Sequence, residues 1–315
     1  TSGDFISAID GISIQGMALN DAVERMRGAP DTKIALTILR QGEKTPLQVT
    51  ITRAIIQIQN VRFEPMDDVG YIRISQFSER VVEGVEDAIE SLEDEIGPRL
   101  KGYVLDLRAN PGGLLDQAIG VTDVFLETGE VVSTRGRRPQ DTQRYNARTG
   151  DVAGGRPIVI LIDEGSASAS EIVAGALQDH RRATVVGITS FGKGSVQTII
   201  PLGGRAGGAL RLTTARYYTP SGRSIQATGI APDIAVSNLS AADQQQRDQF
   251  IVRREVSLAG HLDAEGGDRD VLMPVIRPEP GTSVDDFQLT YALYRLRGVV
   301  MAPVAQAGSN DSVAN

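Results

Sequence analysis

PIVILIDEGSASASEIVAGALQDHRRATVVG, residues 157–187, decides the fold. The apolar run from Pro157 to Ile162 reads as a strand, and Gly165 permits a tight turn after it. From Ala167 to about Asp179 the pattern is helical, with Ile172, Ala176 and Leu177 on one face. Ala183 to Gly187 is apolar and β-branched again and reads as the next strand. The same alternation extends upstream. Val69 to Ser75 reads as a strand, Val81 to Ile96 as a helix, Gly102 to Leu107 as an apolar strand and Leu114 to Glu127 as a helix. Val196 to Pro201 and Leu210 to Ala215 add strands downstream, with a turn over residues 203–208. Alternating strands and helices imply a sheet flanked by helices.

Residues 1–53 form a separate, small β-rich pattern. Phe5 to Ile9 alternates as a strand, Asp10-Gly11 is a hairpin signal, and Ile12 to Ile14 returns. A short helix runs from Leu19 to a stop at Gly28, and the strands Ile34 to Leu39 and Leu47 to Ile51 follow. After Pro232-Asp233 the chain turns polar, with Gln244-Gln245-Gln246. Residues 263–283 read as a flexible connection. A last amphipathic helix carries Phe287, Ala292, Leu293 and Leu296 on one face, and the chain from about Ala305 reads as disordered. There are no internal repeats.

A chain of 315 residues predicts two domains, or one large domain with an appendage. A net charge of −8 and a pI near 5.0 argue against a nucleic-acid partner, because nothing would neutralise phosphates. With no cysteine, disulfides, thiolate metal sites and a cysteine nucleophile are excluded together. No apolar stretch reaches the ~20 residues of a bilayer span. Thr1-Ser2-Gly3-Asp4 reads as the middle of a domain, so the natural N-terminus is expected upstream.

The chemistry gathers in three motifs. Ser168-Ala169-Ser170-Glu171 fits the S-x-x-E capping box, in which the hydroxyl merely satisfies a helix amide. The same geometry serves a nucleophile: a hydroxyl at a strand-to-helix turn lies beside amides that hold an oxyanion. Alanines at 167 and 169 leave room for a polypeptide, and spacing alone does not choose among Ser166, Ser168 and Ser170. The chain has two histidines, His180 and His261, which makes a Ser-His-Asp triad hard to build and points to lysine as the base. Lys193, between Gly192 and Gly194, lies 25 positions after Ser168. A lysine base must be neutral near pH 7, which burial against apolar groups such as Phe191 favours. Gln197 is placed to hold the amine without adding charge. A P-loop reading of Gly187 to Lys193 fails, because Gly194 has no hydroxyl for magnesium and a strand follows where a helix is required. Finally, Val104 to Gly113 is an apolar strand ending in a glycine turn, whose amides would suit an oxyanion if the serine elbow lay beside it.

These motifs resemble a known family. Leu105-Asp106-Leu107-Arg108-x-Asn110-Pro111-Gly112-Gly113, Gly165 to Ile172, Ser190 to Gln197, and Ala215 to Gln226 followed by Gly229-Ile230-x-Pro232-Asp233 strongly resemble the carboxyl-terminal processing proteases (tail-specific proteases, peptidase family S41). The resemblance implies an α+β / α/β fold with a crotonase-like (ClpP/crotonase) protease core over residues 54–237. It implies a partial PDZ domain over 1–53, begun too late to hold its first strand and carboxylate-binding loop, and a helical, flexible region over 238–315. It implies Ser168 as nucleophile, Lys193 as base and Gln197 as the residue orienting the lysine. The oxyanion hole would use the backbone N–H of Ala169 and one from Gly112 or Gly113. The expected activity is endopeptidase cleavage of proteins with non-polar C-termini, either unfolded or with the terminus exposed, and needs no metal or cofactor. A periplasmic location in association with the inner membrane, self-association and an adaptor protein are also implied. The alternative is a catalytically inactive PDZ scaffold.

Overall fold

The computed structural model describes residues 3–55, 59–203, 207–240, 243, 254–265, 274–279 and 284–299. Two compact units divide the chain, Thr1–Gln59 and Asn60–Asn315. The first holds strands β1 (Phe5–Ile9), β2 (Ile12–Ser13), β3 (Lys33–Leu39) and β4 (Leu47–Thr52), in sheet order β2-β1-β3-β4, and helix α1 (Leu19–Met26). Asp10 and Gly11 both take positive φ, 48° and 79°, the backbone of a two-residue hairpin turn. Ile9, Ala22, Ile34 and Leu36 make its small core.

The second unit is built on a six-stranded sheet. Its strands are β5 (Val61–Met66), β6 (Val69–Ile74), β7 (Tyr103–Asp106), β10 (Ile158–Ile162), β11 (Ala183–Gly187) and β14 (Ile234–Ala235), in order β14-β11-β10-β7-β6-β5. All neighbours are parallel except the edge pair β5–β6. Helices α2 (Val81–Ile96), α3 (Leu115–Val124) and α4 (Ala169–Asp179) share a core with Ile72, Leu105, Ile160, Ile162 and Val185. The alternate strand residues Val104, Val159, Leu161 and Val186 pack instead with Phe287 and Ala292 of a C-terminal helix, α5 (Phe287–Leu296). Helices on both faces explain why Ile158–Ile162 is apolar at every position: each of its residues is buried. A second sheet, β12-β13-β8-β9, joins β12 (Ser195–Pro201), β13 (Ala209–Tyr218), β8 (Gly129–Gly136) and β9 (Gln143–Ala147), antiparallel throughout.

Strands β5, β8 and β9 escape the sequence reading. Pro65 sits inside β5, which is compatible with a strand only because β5 lies at the sheet edge. In β9, Gln-Arg-Tyr-Asn-Ala is too polar to mark a strand by itself. Of the flexible connection expected over residues 263–283, residues 263–265 and 274–279 are described. Ile276 bridges to Val236, donating to the Ala235 carbonyl (2.8 Å) and accepting from the Ser237 amide (3.0 Å). Residues 204–206, Gln244 to Gln246 and the stretch from Ala305 lie outside the described residues. Among the described residues no helix is long and apolar enough to cross a membrane.

Helix α5 is tied to the sheet by charge as well as by apolar contact. Arg108, buried at the end of β7, donates to both oxygens of Asp106 (3.0 and 2.6 Å) and both oxygens of Asp286 (2.8 and 2.7 Å), with Gln288 a further acceptor. Burial opposes ionisation of Asp286, but its bonds to Arg108 outweigh that and hold its pKa below the ordinary value of 3.8. The pair therefore stabilises the fold above that value and loses its effect as pH falls through the lower folded value. Asp286→Asn should lower stability at pH 7 by about 1–3 kcal/mol and flatten the acid limb of a urea-midpoint series. An unchanged acid limb would show that Asp286 does not carry it.

Candidate active site

Strand β10 delivers the chain to a sharp turn at residues 163–168, and α4 leaves it. Ser168 has φ 56° and ψ −110°, a conformation costing a β-carbon-bearing residue on the order of 1–3 kcal/mol. For this reason α4 begins at Ala169, two residues later than the sequence pattern suggests. Ser166 is buried, donates to the Leu107 carbonyl (2.8 Å) and accepts from the Asp163 amide (3.0 Å). Ser170 is buried and donates to the Asn110 carbonyl (3.0 Å). Ser168 is half-buried, and its hydroxyl donates to no protein group among the described residues. Of the three serines, two are therefore spent on structure and one is not.

Glu171 reaches back to the Ser168 amide, as in a capping box, but it does more than cap. The Glu171 carboxylate is fully buried. Its Oε2 accepts the Ser168 amide (2.7 Å) and the Lys193 amide (2.9 Å). Its Oε1 accepts the Ser190 hydroxyl (2.6 Å) and the Gly192 amide (2.7 Å). Burial pushes this carboxyl up to about 7, against the opposing pull of its four donors. A sequence reading that sees only the local S-x-x-E pattern misses the contacts of Glu171 with residues 190–193.

The glycine turn after β7 lies against the serine elbow. A β-carbon on Gly112 (φ 94°) would stand 2.6 Å from the Ala167 oxygen, 2.8 Å from Ser168 Cβ and 2.9 Å from the Ala169 nitrogen. One on Gly113 (φ 150°) would stand 2.0 Å from the Phe77 oxygen. Asn110, fully buried and absent from the sequence-derived candidates, laces the turn to the elbow. Its carbonyl accepts from Ala167 N–H (2.9 Å) and the Ser170 hydroxyl, its Nδ2 donates to the Ile74 carbonyl (2.8 Å), and its Oδ1 accepts Gly112 N–H (2.9 Å). The Gly112 amide is thus committed to Asn110, whereas those of Gly113 and Ala169 have no hydrogen-bond partner among the described residues.

Lys193 is half-buried and Gln197, on β12, is exposed. Both line a cavity of about 730 Å³ with Pro111, Gly165, Ala167 and Phe191. Neither the Lys193 ammonium nor the Gln197 amide makes a hydrogen bond among the described residues, so the expected bond between them is not formed. The lining also includes Glu255, Leu258 and Leu262, from a segment the sequence reading gave no role. That segment docks through the Glu255 amide on the Phe191 carbonyl (3.1 Å) and through Gln226, whose Nε2 donates to Glu255 Oε1 and the Leu262 carbonyl (3.1 Å each). Among the described residues no group of three or more His, Asp or Glu side chains is arranged to hold a metal ion. Ser168 itself is not among the residues lining that cavity, although its neighbour Ala167 is, and its backbone amide and that of Lys193 meet on Glu171 Oε2. An unengaged hydroxyl, nearby unengaged amides and a lysine in a peptide-sized cavity form a set suited to acyl transfer.

Comparison with known proteins gives the chain its family. A family model described as Peptidase family S41 matches residues 68–236. The chain is 51% identical over 300 residues to the carboxy-terminal-processing protease of Bartonella bacilliformis, an alignment covering 95% of this chain and 68% of that protein. It is 43% identical over 238 residues to the carboxyl-terminal-processing protease of Synechocystis, covering 74% of this chain and 54% of that one. Among solved structures it is similar to the photosystem II D1 C-terminal processing protease, with a TM-score of 0.50 at 30% identity over 73% of this chain and 62% of that one. The chain thus spans between about half and two thirds of the length of these relatives.

Proposed function

The chain belongs to peptidase family S41, and on that premise we propose that it is a serine endopeptidase that uses Ser168 and Lys193 to cleave proteins chosen by a non-polar C-terminus. Ser168 Oγ attacks the scissile carbonyl carbon while the neutral Lys193 amine takes its proton. The carbonyl oxygen becomes an oxyanion held by the amides of Ala169 and the glycine turn. The commitment of the Gly112 amide to Asn110 favours Gly113 as the second donor. Collapse breaks the C–N bond, and the Lys193 ammonium returns its proton to the leaving amine. Water then attacks the acyl-enzyme, with Lys193 again as base and Gln197 orienting it. The observation that carries this reading is that the backbone amides of Ser168 and Lys193 share one carboxylate oxygen, Glu171 Oε2, at 2.7 and 2.9 Å.

The remainder of the proposal rests on the family resemblance. A crotonase-like core accords with the parallel sheet and its helices on both faces. A partial PDZ domain accords with the four-stranded sheet and short helix of the first unit. A helical C-terminal region, a periplasmic location at the inner membrane, self-association and an adaptor complete it; cell fractionation and sedimentation check the last three. The deciding assay follows degradation of an unfolded protein ending in apolar residues, and of the same protein ending in Asp-Asp. Lys193→Ala should reduce cleavage by roughly 10³-fold or more, in keeping with loss of a general base. Equal cleavage of the two substrates would remove the C-terminal preference. Undiminished cleavage by Lys193→Ala would remove the dyad, and an inert wild type would favour the scaffold.

A further inference from the structure

We propose that Glu171 is a positioning residue, a buried carboxylate that sets the nucleophile strand-to-helix turn and the lysine loop in register, and that the register holds only while it is ionised. The inference rests on the Ser168–Lys193 reading and adds a residue that the motif comparison left as a helix cap. The geometry is specific. Glu171 belongs to the first turn of α4, yet only one of its four donors, the Ser168 amide, comes from its own turn. The other three come from residues 190–193: the Ser190 hydroxyl and the amides of Gly192 and Lys193. Each oxygen serves two donors, so both lobes of the carboxylate are filled. The donors on Oε2 are the backbone amides of the two reactive residues themselves.

Ionisation matters because of the kind of partners present. Three of the four donors are backbone N–H groups, which cannot turn to accept a proton. The fourth, the Ser190 hydroxyl, already accepts from the Ile230 amide (2.7 Å) while donating to Glu171. A protonated Glu171 would aim its own O–H at a donor, and only Ser190 is able to rotate away, breaking the tie to the lysine loop at that point. Among the described residues, the Ser190 hydroxyl and the three amides face the carboxylate, and no charged side chain bonds to it. Lys193 is the titratable residue that reaches it, and it does so through its backbone. Burial raises the Glu171 carboxyl to about 7, so the change from acid to carboxylate falls near neutral pH. Reactivity of Ser168 then needs two deprotonations, one at the Lys193 amine and one at Glu171.

A fluorescent fluorophosphonate, which phosphonylates an activated serine without needing the natural substrate, reads this directly. The full chain, Glu171→Gln, Glu171→Ala and Ser168→Ala are labelled between pH 5 and 9. For the wild type, the logarithm of the labelling rate should fall towards acid pH with a slope approaching two. Glu171→Gln fills the same space but places an NH₂ group against N–H donors. It should label roughly 100-fold more slowly at pH 8, as expected for reacting groups displaced by about an ångström, and its acid limb should fall with a slope of one. Glu171→Ala should be slower still. A Glu171→Gln rate within about threefold of wild type, or an acid limb of slope two in that variant, would overturn the proposal. Should Glu171→Gln not unfold cooperatively, the wild type decides alone: a slope of one overturns the ionisation requirement. Labelling of Ser168→Ala at the wild-type rate would instead overturn the dyad reading, an outcome distinguishable from failure of the Glu171 proposal.

Discussion

Ser168→Ala is expected to reduce peptide hydrolysis by about 10⁴-fold or more while leaving the fold intact. The size of the effect follows from covalent catalysis: without Oγ there is no acyl-enzyme, and only oxyanion stabilisation and substrate binding remain. The fold should survive because the structural work at the elbow is done by neighbours. Ser166 ties the turn to Leu107, Ser170 ties it to Asn110, and the Ser168 backbone amide keeps its bond to Glu171 whatever its side chain. The positive φ of Ser168 is equally strained with alanine, so the urea midpoint should move little. Parallel Ser166→Ala and Ser170→Ala variants sharpen the result. Each removes a buried hydrogen bond and should cost about 1–2 kcal/mol of stability while retaining nucleophilic chemistry. Activity persisting in Ser168→Ala and vanishing in either neighbour would move the nucleophile.

Gly112→Ala should disable the site through sterics alone. The new methyl group would sit 2.6 Å from the Ala167 oxygen and 2.8 Å from Ser168 Cβ, on a backbone with φ 94°. Neither neighbour has room to retreat. Ala167 is buried and held by the Asn110 carbonyl, and Ser168 is anchored to buried Glu171. The turn and the elbow must therefore separate. An oxyanion donor displaced by even an ångström loses roughly 100-fold in rate. The backbone strain adds about 1–3 kcal/mol of destabilisation. Gly155→Ala is the control, since Gly155 also has positive φ (73°) but nothing within 4 Å of the added carbon. It should share the strain cost and keep full activity. Equal losses of activity in the two variants would show that strain, rather than the clash with the elbow, is responsible.

The central pattern of the second unit is legible in the sequence because its strands are buried on both faces, which forces continuous apolar runs such as Ile158–Ile162. The helices are legible because one face of each must be apolar. Strand β9 is not, because its polar Gln-Arg-Tyr-Asn-Ala is held by cross-strand pairing with β8 that leaves little trace in composition. The catalytic candidates divide in the same way. Ser168 and Lys193 stand out by local motif, whereas Asn110 and the wall formed by Glu255, Leu258 and Leu262 depend on contacts across many residues.

By itself the sequence determined the alternation of buried strands and helices in the central sheet, the absence of cysteine chemistry, the family and a short set of candidate residues, since all of these reside in local pattern and composition. Tertiary structure decided which of three serines is released from structural duty, which glycine amide is uncommitted, and that Glu171 joins the serine turn to the loop of residues 190–193. The physical reason is range. Periodicity and turn chemistry act over a few residues, whereas a buried carboxylate must find its donors wherever the fold brings them. Here it finds three of them about twenty residues further along the chain.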